Sequence, residues 1–199
     1  MLSLRKLGFT MIELLIVIAV LGILAVAVLA AINPIEQINR GRDTGRRSDA
    51  EQLLSAIDRF YASQGYYPWQ YAADDANNEP LVWTEAPDVT DVVDPDVGGD
   101  SAELMLAKLS TGGTSEIKTS FVTRISESDY NALYVYNRGT QGDSTYICFT
   151  PKSGSFAEEA TLRCGTASGG INTSLPEDLQ DVSAEVCQNA TTGPMICLP

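Results

Sequence analysis

The chain has 199 residues, 44% of them apolar and 20% charged, a length that fits one domain with an appendage and a balance that excludes a mostly disordered polymer. Thirteen bases stand against twenty-six acids, a formal charge of −13, which argues against a general nucleic-acid binder because such binding depends on neutralising phosphates. Histidine is absent, so a Ser-His-Asp triad, a Cys-His pair and a His-ligated zinc site are excluded within this one chain.

The first eight residues, Met1 to Gly8, carry two positive charges, Arg5 and Lys6. Phe9-Thr10-Met11-Ile12-Glu13 follows, and the nineteen residues from Leu14 to Ile32 contain no charge and no polar side chain. A helix of that length spans roughly 28 Å at 1.5 Å per residue, close to the thickness of a bilayer core, so a transmembrane helix is predicted. The apolar run exceeds that of a conventional secretory signal, although Ala25 to Ala31 contains an A-x-A-like site. Glu13 is out of place, because a carboxylate at the edge of a membrane helix costs free energy unless it is paired. Thr10-x-x-Glu13 also fits a capping box, which accounts for Glu13 if the helix starts at Thr10.

Gly8-Phe9-Thr10-Met11-Ile12-Glu13-Leu14 resembles the processing site of type IV pilins and of the related pseudopilins of type II secretion. The resemblance extends through the apolar run and, more weakly, to about Pro68. It implies that Gly8 is the last leader residue and that a membrane prepilin peptidase cuts between Gly8 and Phe9. Phe9 then becomes an N-methylated N-terminus, and Glu13 pairs with the Phe9 amine of a neighbouring subunit in a filament. The physics agrees, since a terminal cation and a carboxylate four residues on share one helix face, and a buried charge needs its partner. One departure is that many relatives have proline where this chain has Ala30; the first proline here is Pro34, so any kink is expected four residues later. The charge pattern conflicts with this orientation. Arg40, Arg42, Arg46 and Arg47 follow the helix, against two bases before it, and a count of positive charges alone places the C-terminal side in the cytoplasm.

Helical periodicity resumes near Ile35 and becomes clear from Arg46. Ala50, Leu53, Leu54, Ile57, Phe60 and Tyr61 form one apolar stripe, with Arg47, Asp49, Glu51, Gln52 and Asp58 on much of the remaining surface. A single helix cannot bury its own stripe, so this one is predicted to pack on a sheet. The helix is predicted to stop at Gly65, and Tyr66-Tyr67-Pro68 to run extended. This passage is similar to that of major pseudopilins and of many Gram-positive-type pilins.

Between Arg59 and Lys108 there is no base and there are ten acids. Major pseudopilins often hold calcium in a head loop, so the resemblance makes Asp91, Asp94, Asp96 and Asp100 candidate ligands; the spacing is not that of an EF-hand, and a solvated acidic loop accounts for the same residues. Ser101 to Leu109 is predicted as a helix with Ser101 as N-cap and Leu104, Met105 and Leu109 facing inward. Asn131–Asn137 and Ser144–Thr150 are predicted strands joined by a hairpin loop from Arg138 to Asp143, with a third strand near Ala160–Cys164.

All four cysteines lie after residue 147, and in an exported protein they form two disulfides. Cys148–Cys164 with Cys187–Cys197 is the preferred pairing, because the first two lie on adjacent predicted strands. A four-thiolate zinc site lacks a C-x-x-C pair, the intervening lengths being 15, 22 and 9 residues.

The organisation expected is a leader at 1–8, a polymerisation helix at 9–33, an amphipathic continuation at 34–65 and an α+β head at 66–199 with a disulfide-bonded C-terminal region. The fold is the pilin-like one, a long N-terminal helix on a small antiparallel sheet. The function implied is a structural subunit rather than an enzyme, with other copies of itself, the peptidase, an assembly platform and ATPase, and inner-membrane lipid as partners, and without direct nucleic-acid contact or an obligatory cofactor. Its location would be the cytoplasmic membrane, head outside, and afterwards a surface pilus or a periplasmic pseudopilus. Two alternatives remain: a minor tip pilin for adhesion or DNA uptake, with Arg124 and Arg138 as a local basic patch, and a membrane-anchored domain with an enzymatic task.

Overall fold

The computed structural model describes residues 8–31, 33–70, 80–89, 104–111, 115–127, 132–139, 142–165, 175–188 and 193–199. The chain divides into two compact units at Ile38/Asn39. Within the first, α1 runs Met11–Ala31 and α2 begins at Pro34, to end in the second unit at Gln64. Asn33 separates them as a non-helical residue. Its side chain accepts from the Glu36 N–H at 3.4 Å, and its carbonyl from the Gln37 N–H at 3.3 Å. Pro34 therefore starts a second helix, at the one position where its missing N–H and fixed φ cost nothing. Gly41 and Gly45 do not interrupt α2. Gly65, at φ 81°, ends it with its N–H on the Tyr61 carbonyl at 2.8 Å.

The second unit is α+β. Four antiparallel strands, β1 (Leu81–Glu85), β2 (Leu133–Asn137), β3 (Tyr146–Phe149) and β4 (Ile196–Leu198), lie side by side in chain order. The predicted hairpin is β2–β3, with Leu133 opposite Phe149 and Tyr136 opposite Tyr146. Strand alternation sorts the residues onto two faces. Leu133, Val135, Ile147, Phe149 and Ile196 face the α2 stripe of Ala50, Leu53, Ile57 and Phe60, together with α3 (Met105–Ser110), α4 (Thr119–Ile125) and Ala160. Tyr136, Tyr146, Cys148 and Cys197 face a second core with Leu175, Leu179, Val186 and Met195. The sheet is thus covered on both sides, which accounts for β3 being buried at every residue.

Several expectations are corrected. Ala160–Cys164 is not a strand but the end of α5 (Gly154–Cys164). Phe156, Ala160 and Cys164, at four-residue steps, are its inward side, while Leu162 is 74% exposed. The helix expected from Ser101 starts at Met105 with Leu104 as N-cap, because the Met105 N–H bonds to the Val89 carbonyl at 2.8 Å and keeps Leu104 extended. Leu104 is half-exposed, not inward; Met105 and Leu109 are buried as expected, and Ser101 lies outside the described residues. Tyr61 of the stripe is also half-exposed, whereas Asp49, assigned to the solvent side, is buried.

The disulfides also differ from the preferred pairing. Cys148 bonds Cys197, and Cys164 bonds Cys187 on α6 (Ser183–Cys187). The cause is the unpredicted β4, which pairs with β3 and places Cys197 directly opposite Cys148. Cys164, on a helix, then meets Cys187.

Candidate processing and assembly site

Gly8, Phe9 and Thr10 precede α1 in non-helical conformation and are exposed, Phe9 by 85%. A Cβ built on Gly8 meets nothing within 4 Å. Thr10 and Glu13 form the capping box. The Glu13 Oε2 accepts from the Thr10 N–H at 2.8 Å and from the Thr10 hydroxyl at 2.6 Å. The Glu13 N–H donates to the Thr10 hydroxyl at 3.3 Å. The bonds tie Thr10 to the first turn and place the carboxylate where the helix dipole favours an anion.

Behind this cap, Met11–Leu29 is long and apolar enough to cross a membrane, and none of it is buried within the chain. Its large side chains point outward all round, from Met11 at 87% exposed to Val17 at 46%. A helix apolar on every side has no face suited to water and none reserved for a core of its own. It has to be covered by lipid or by other helices.

Residues 4–29 match the prokaryotic N-terminal methylation motif. That motif is the class III signal peptide of type IV pilins and pseudopilins. The methylation motif covers residues 4–8 of the expected leader, the capping box and most of α1, and it stops before α2. No curated protein and no solved structure matches the chain. The motif supports a pilin-like or pseudopilin subunit and points to a structural part rather than an enzyme. It also implies processing by a prepilin peptidase, and with the apolar helix it fits a membrane-anchored pilin.

The remaining predicted residues are placed as follows. Asp91, Asp94, Asp96 and Asp100 lie outside the described residues. Arg124 and Arg138 are both engaged by carboxylates. Arg124 pairs with Asp49 at 2.8 Å; Arg138 bonds Asp143 at 2.8 and 2.9 Å and reaches Asp181 at 3.9 Å. Of the four arginines that follow α1, Arg47 pairs with Glu159 at 2.6 Å and lies over the Phe156 ring. Burial raises the Glu159 pKa, but the bonds and charges of Arg47 and Arg163 outweigh it and leave the carboxyl below its usual range.

Sequence reasoning missed Asp43. It is 1% exposed, and its carboxylate accepts from the N–H groups of Lys152 and Ser153 and from the Ser153 hydroxyl. Its one visible signal was position, four residues before Arg47 on the extension of the α2 stripe.

A groove of about 870 Å³ runs along α2 beside Glu116 to Arg124. Glu51 and Glu116 both line it, and the Glu116 carboxylate is held by the Arg59 guanidinium at 2.7 Å.

Proposed function

We propose that this protein is a structural subunit of a type IV pilus or pseudopilus, stored in the cytoplasmic membrane and polymerised through α1. The observation that carries this reading is the all-round apolar surface of α1 directly behind the Thr10–Glu13 box. The same surface suits two environments in turn, lipid during storage and neighbouring helices after assembly, so transfer between them carries little hydrophobic penalty.

Prepilin peptidase cuts between Gly8 and Phe9 in this reading. Cleavage frees a cationic amine at Phe9, which is then N-methylated. Once helices gather and lipid withdraws, the Glu13 carboxylate needs a cation, and the Phe9 amine of the neighbouring subunit supplies it. Both Thr10 bonds use Oε2 of Glu13, so Oε1 is the natural acceptor. The assembly platform and ATPase act on the processed form, and the head lies outside the cytoplasm. The two disulfides support that side, since such bonds persist in oxidising compartments. The engagement of Arg47 by Glu159 supports it too, because part of the positive charge after the helix is already balanced by the folded head. The pairing of Arg124 and Arg138 favours a building block over DNA contact at those arginines.

The test is the unreduced intact mass and N-terminal sequence of the protein from native membranes and sheared surface material. A chain starting at methylated Phe9, in filaments, is expected. A chain starting at Met1 in cells with an active prepilin peptidase would overturn the reading.

A further inference from the structure

Asn39, Asp43 and Arg47 recur at four-residue steps on α2 and so share one face. Each reaches the segment that starts at Lys152 and continues into α5. Asn39 Nδ2 donates to the Lys152 carbonyl at 3.2 Å. The Asp43 carboxylate accepts from the Lys152 N–H at 3.0 and 3.1 Å, from the Ser153 N–H at 2.8 Å and from the Ser153 hydroxyl at 2.6 Å. Arg47 pairs with Glu159 at 2.6 Å. Ser153 is the N-cap of α5 yet makes no capping bond with its own side chain, because its hydroxyl donates instead to Asp43 on another helix. The negative charge of Asp43 there also meets the favourable end of the α5 dipole.

The next residues on this side of α2, Ala50, Leu53 and Ile57, are fully buried among apolar side chains. The attachment of α2 thus changes character between Arg47 and Ala50. Before that point it is made of hydrogen bonds, an ion pair and the Arg47 guanidinium over the Phe156 ring, polar contacts that water can largely replace; after it, separation exposes apolar surface. Local opening should therefore be cheap before Ala50 and costly beyond it. The first of these three contacts, at Asn39, coincides with the residue at which the second compact unit begins.

We propose that Asp43 is a positioning residue, the latch that, with Ser153, fastens the first half of α2 to α5 and sets where the compact head begins. With the latch closed the head begins at Asn39; with it open the head begins at Ala50, and the connector behind α1 gains eleven residues. The effect on assembly rests on the filament reading above, whereas the latch itself does not.

Hydrogen exchange on the processed full-length chain in detergent micelles tests it, with Asp43→Asn, Ser153→Ala and Ser153→Thr beside the native protein. Asp43→Asn and Ser153→Ala should speed exchange at 40–47 by about tenfold or more and leave 53–60, β2 and β3 within about twofold. Ser153→Thr keeps the hydroxyl and should follow the native pattern. Unchanged exchange at 40–47, or an equal rise through residue 60, overturns the latch. Should Asp43→Asn fail to fold, the Ser153 pair decides. In cells Asp43→Asn should be cut at Gly8 but form fewer filaments, and normal filaments from an opened latch would overturn the positioning role. Absence of filaments from the native chain would instead count against the filament reading and leave the exchange result standing.

Discussion

The Glu13 carboxylate holds Thr10 by two hydrogen bonds to a single oxygen, one from the Thr10 N–H at 2.8 Å and one from its hydroxyl at 2.6 Å. The same side chain thus starts α1 and carries the only charge of Met11–Leu29. Substitution can separate the two tasks. Glutamine caps as glutamate does but has no charge. Glu13→Gln should therefore keep the helix start and be processed at Gly8, yet lower filament yield by at least about tenfold. That factor equals ~1.4 kcal/mol, below the usual cost of leaving one partner of a buried ion pair alone. Filament yield and the N-terminal sequence of the same cells check it; normal yield from Glu13→Gln would mean that Glu13 is a cap and nothing more.

Gly8→Ala is expected to leave the precursor uncut. Because an added Cβ meets nothing within 4 Å, the chain itself tolerates alanine, and the thermal midpoint should be unchanged. The loss would then lie in recognition by the peptidase. Efficient cleavage of Gly8→Ala would contradict the assignment of Gly8 as the last leader residue.

Peptide mapping without reduction should give Cys148–Cys197 and Cys164–Cys187, and an intact mass four hydrogens below the reduced one. The loops span 49 and 23 residues, so each bond should contribute about 3–4 kcal/mol by restricting the unfolded chain. Replacing either pair by alanine should lower stability by about that amount in a urea titration. A Cys148–Cys164 peptide would refute the β3–β4 register.

The β2–β3 connection contains two glycines at positive φ, Gly139 at 81° and Gly142 at 96°. A Cβ on Gly139 would stand 2.7 Å from the Pro80 Cβ and 2.8 Å from its Cα, whereas one on Gly142 meets nothing within 4 Å. Gly142→Ala should cost about 1–2 kcal/mol from backbone strain alone. Gly139→Ala adds a backbone collision and should cost about 3 kcal/mol or more. Equal costs for the two would show that Pro80 moves freely aside.

Alkaline pH should unfold the head. The Tyr146 phenol donates to Asp178 at 2.7 Å, and burial first, then that carboxylate, push its pKa up to about 12. Tyr134 and Tyr136 are raised too, mainly by burial, with Glu85 adding to the first and Asp181 to the second. A folded pKa above the unfolded value of about 10 means that the native state holds the proton longer. The stability this contributes is complete below pH ~10 and is lost as pH rises toward about 12. Phenolate absorbance should show a late group among the eight tyrosines, released together with the loss of near-ultraviolet dichroism. Release of all eight near pH 10 in a still-folded chain would contradict the buried bond.

Elements that rest on neighbouring residues were legible in the sequence. The Thr10–Glu13 box, the α2 stripe from Ala50 to Phe60, its stop at Gly65 and the β2–β3 hairpin all appear where local chemistry puts them. β1, α4, α6 and β4 were not seen. Each has three to seven residues, too few for a clear period. Ala160–Cys164 was misread for the same reason, since five apolar and polar residues fit a strand as well as the last turn of a helix. Asp49 read as solvent-facing and Asp43 was missed, because burial of a carboxylate depends on donors brought from far along the chain, Arg124 for the first and Ser153 for the second.

By itself, then, the sequence determined the N-terminal helix, its charged cap and the methylation motif, because these are encoded in contiguous residues and need no packing within the chain. Only the tertiary structure decided the cysteine pairing, the two-sided burial of the sheet and the attachment of α2 to α5. The physical reason is that β4 returns from the far end of the chain to lie against β3. That return puts Cys197 opposite Cys148, leaves Cys164 for Cys187 and closes the second core over the outer face of the sheet. No local propensity contains the outcome of such a pairing, because its free energy comes from contacts that exist only once the sheet has formed.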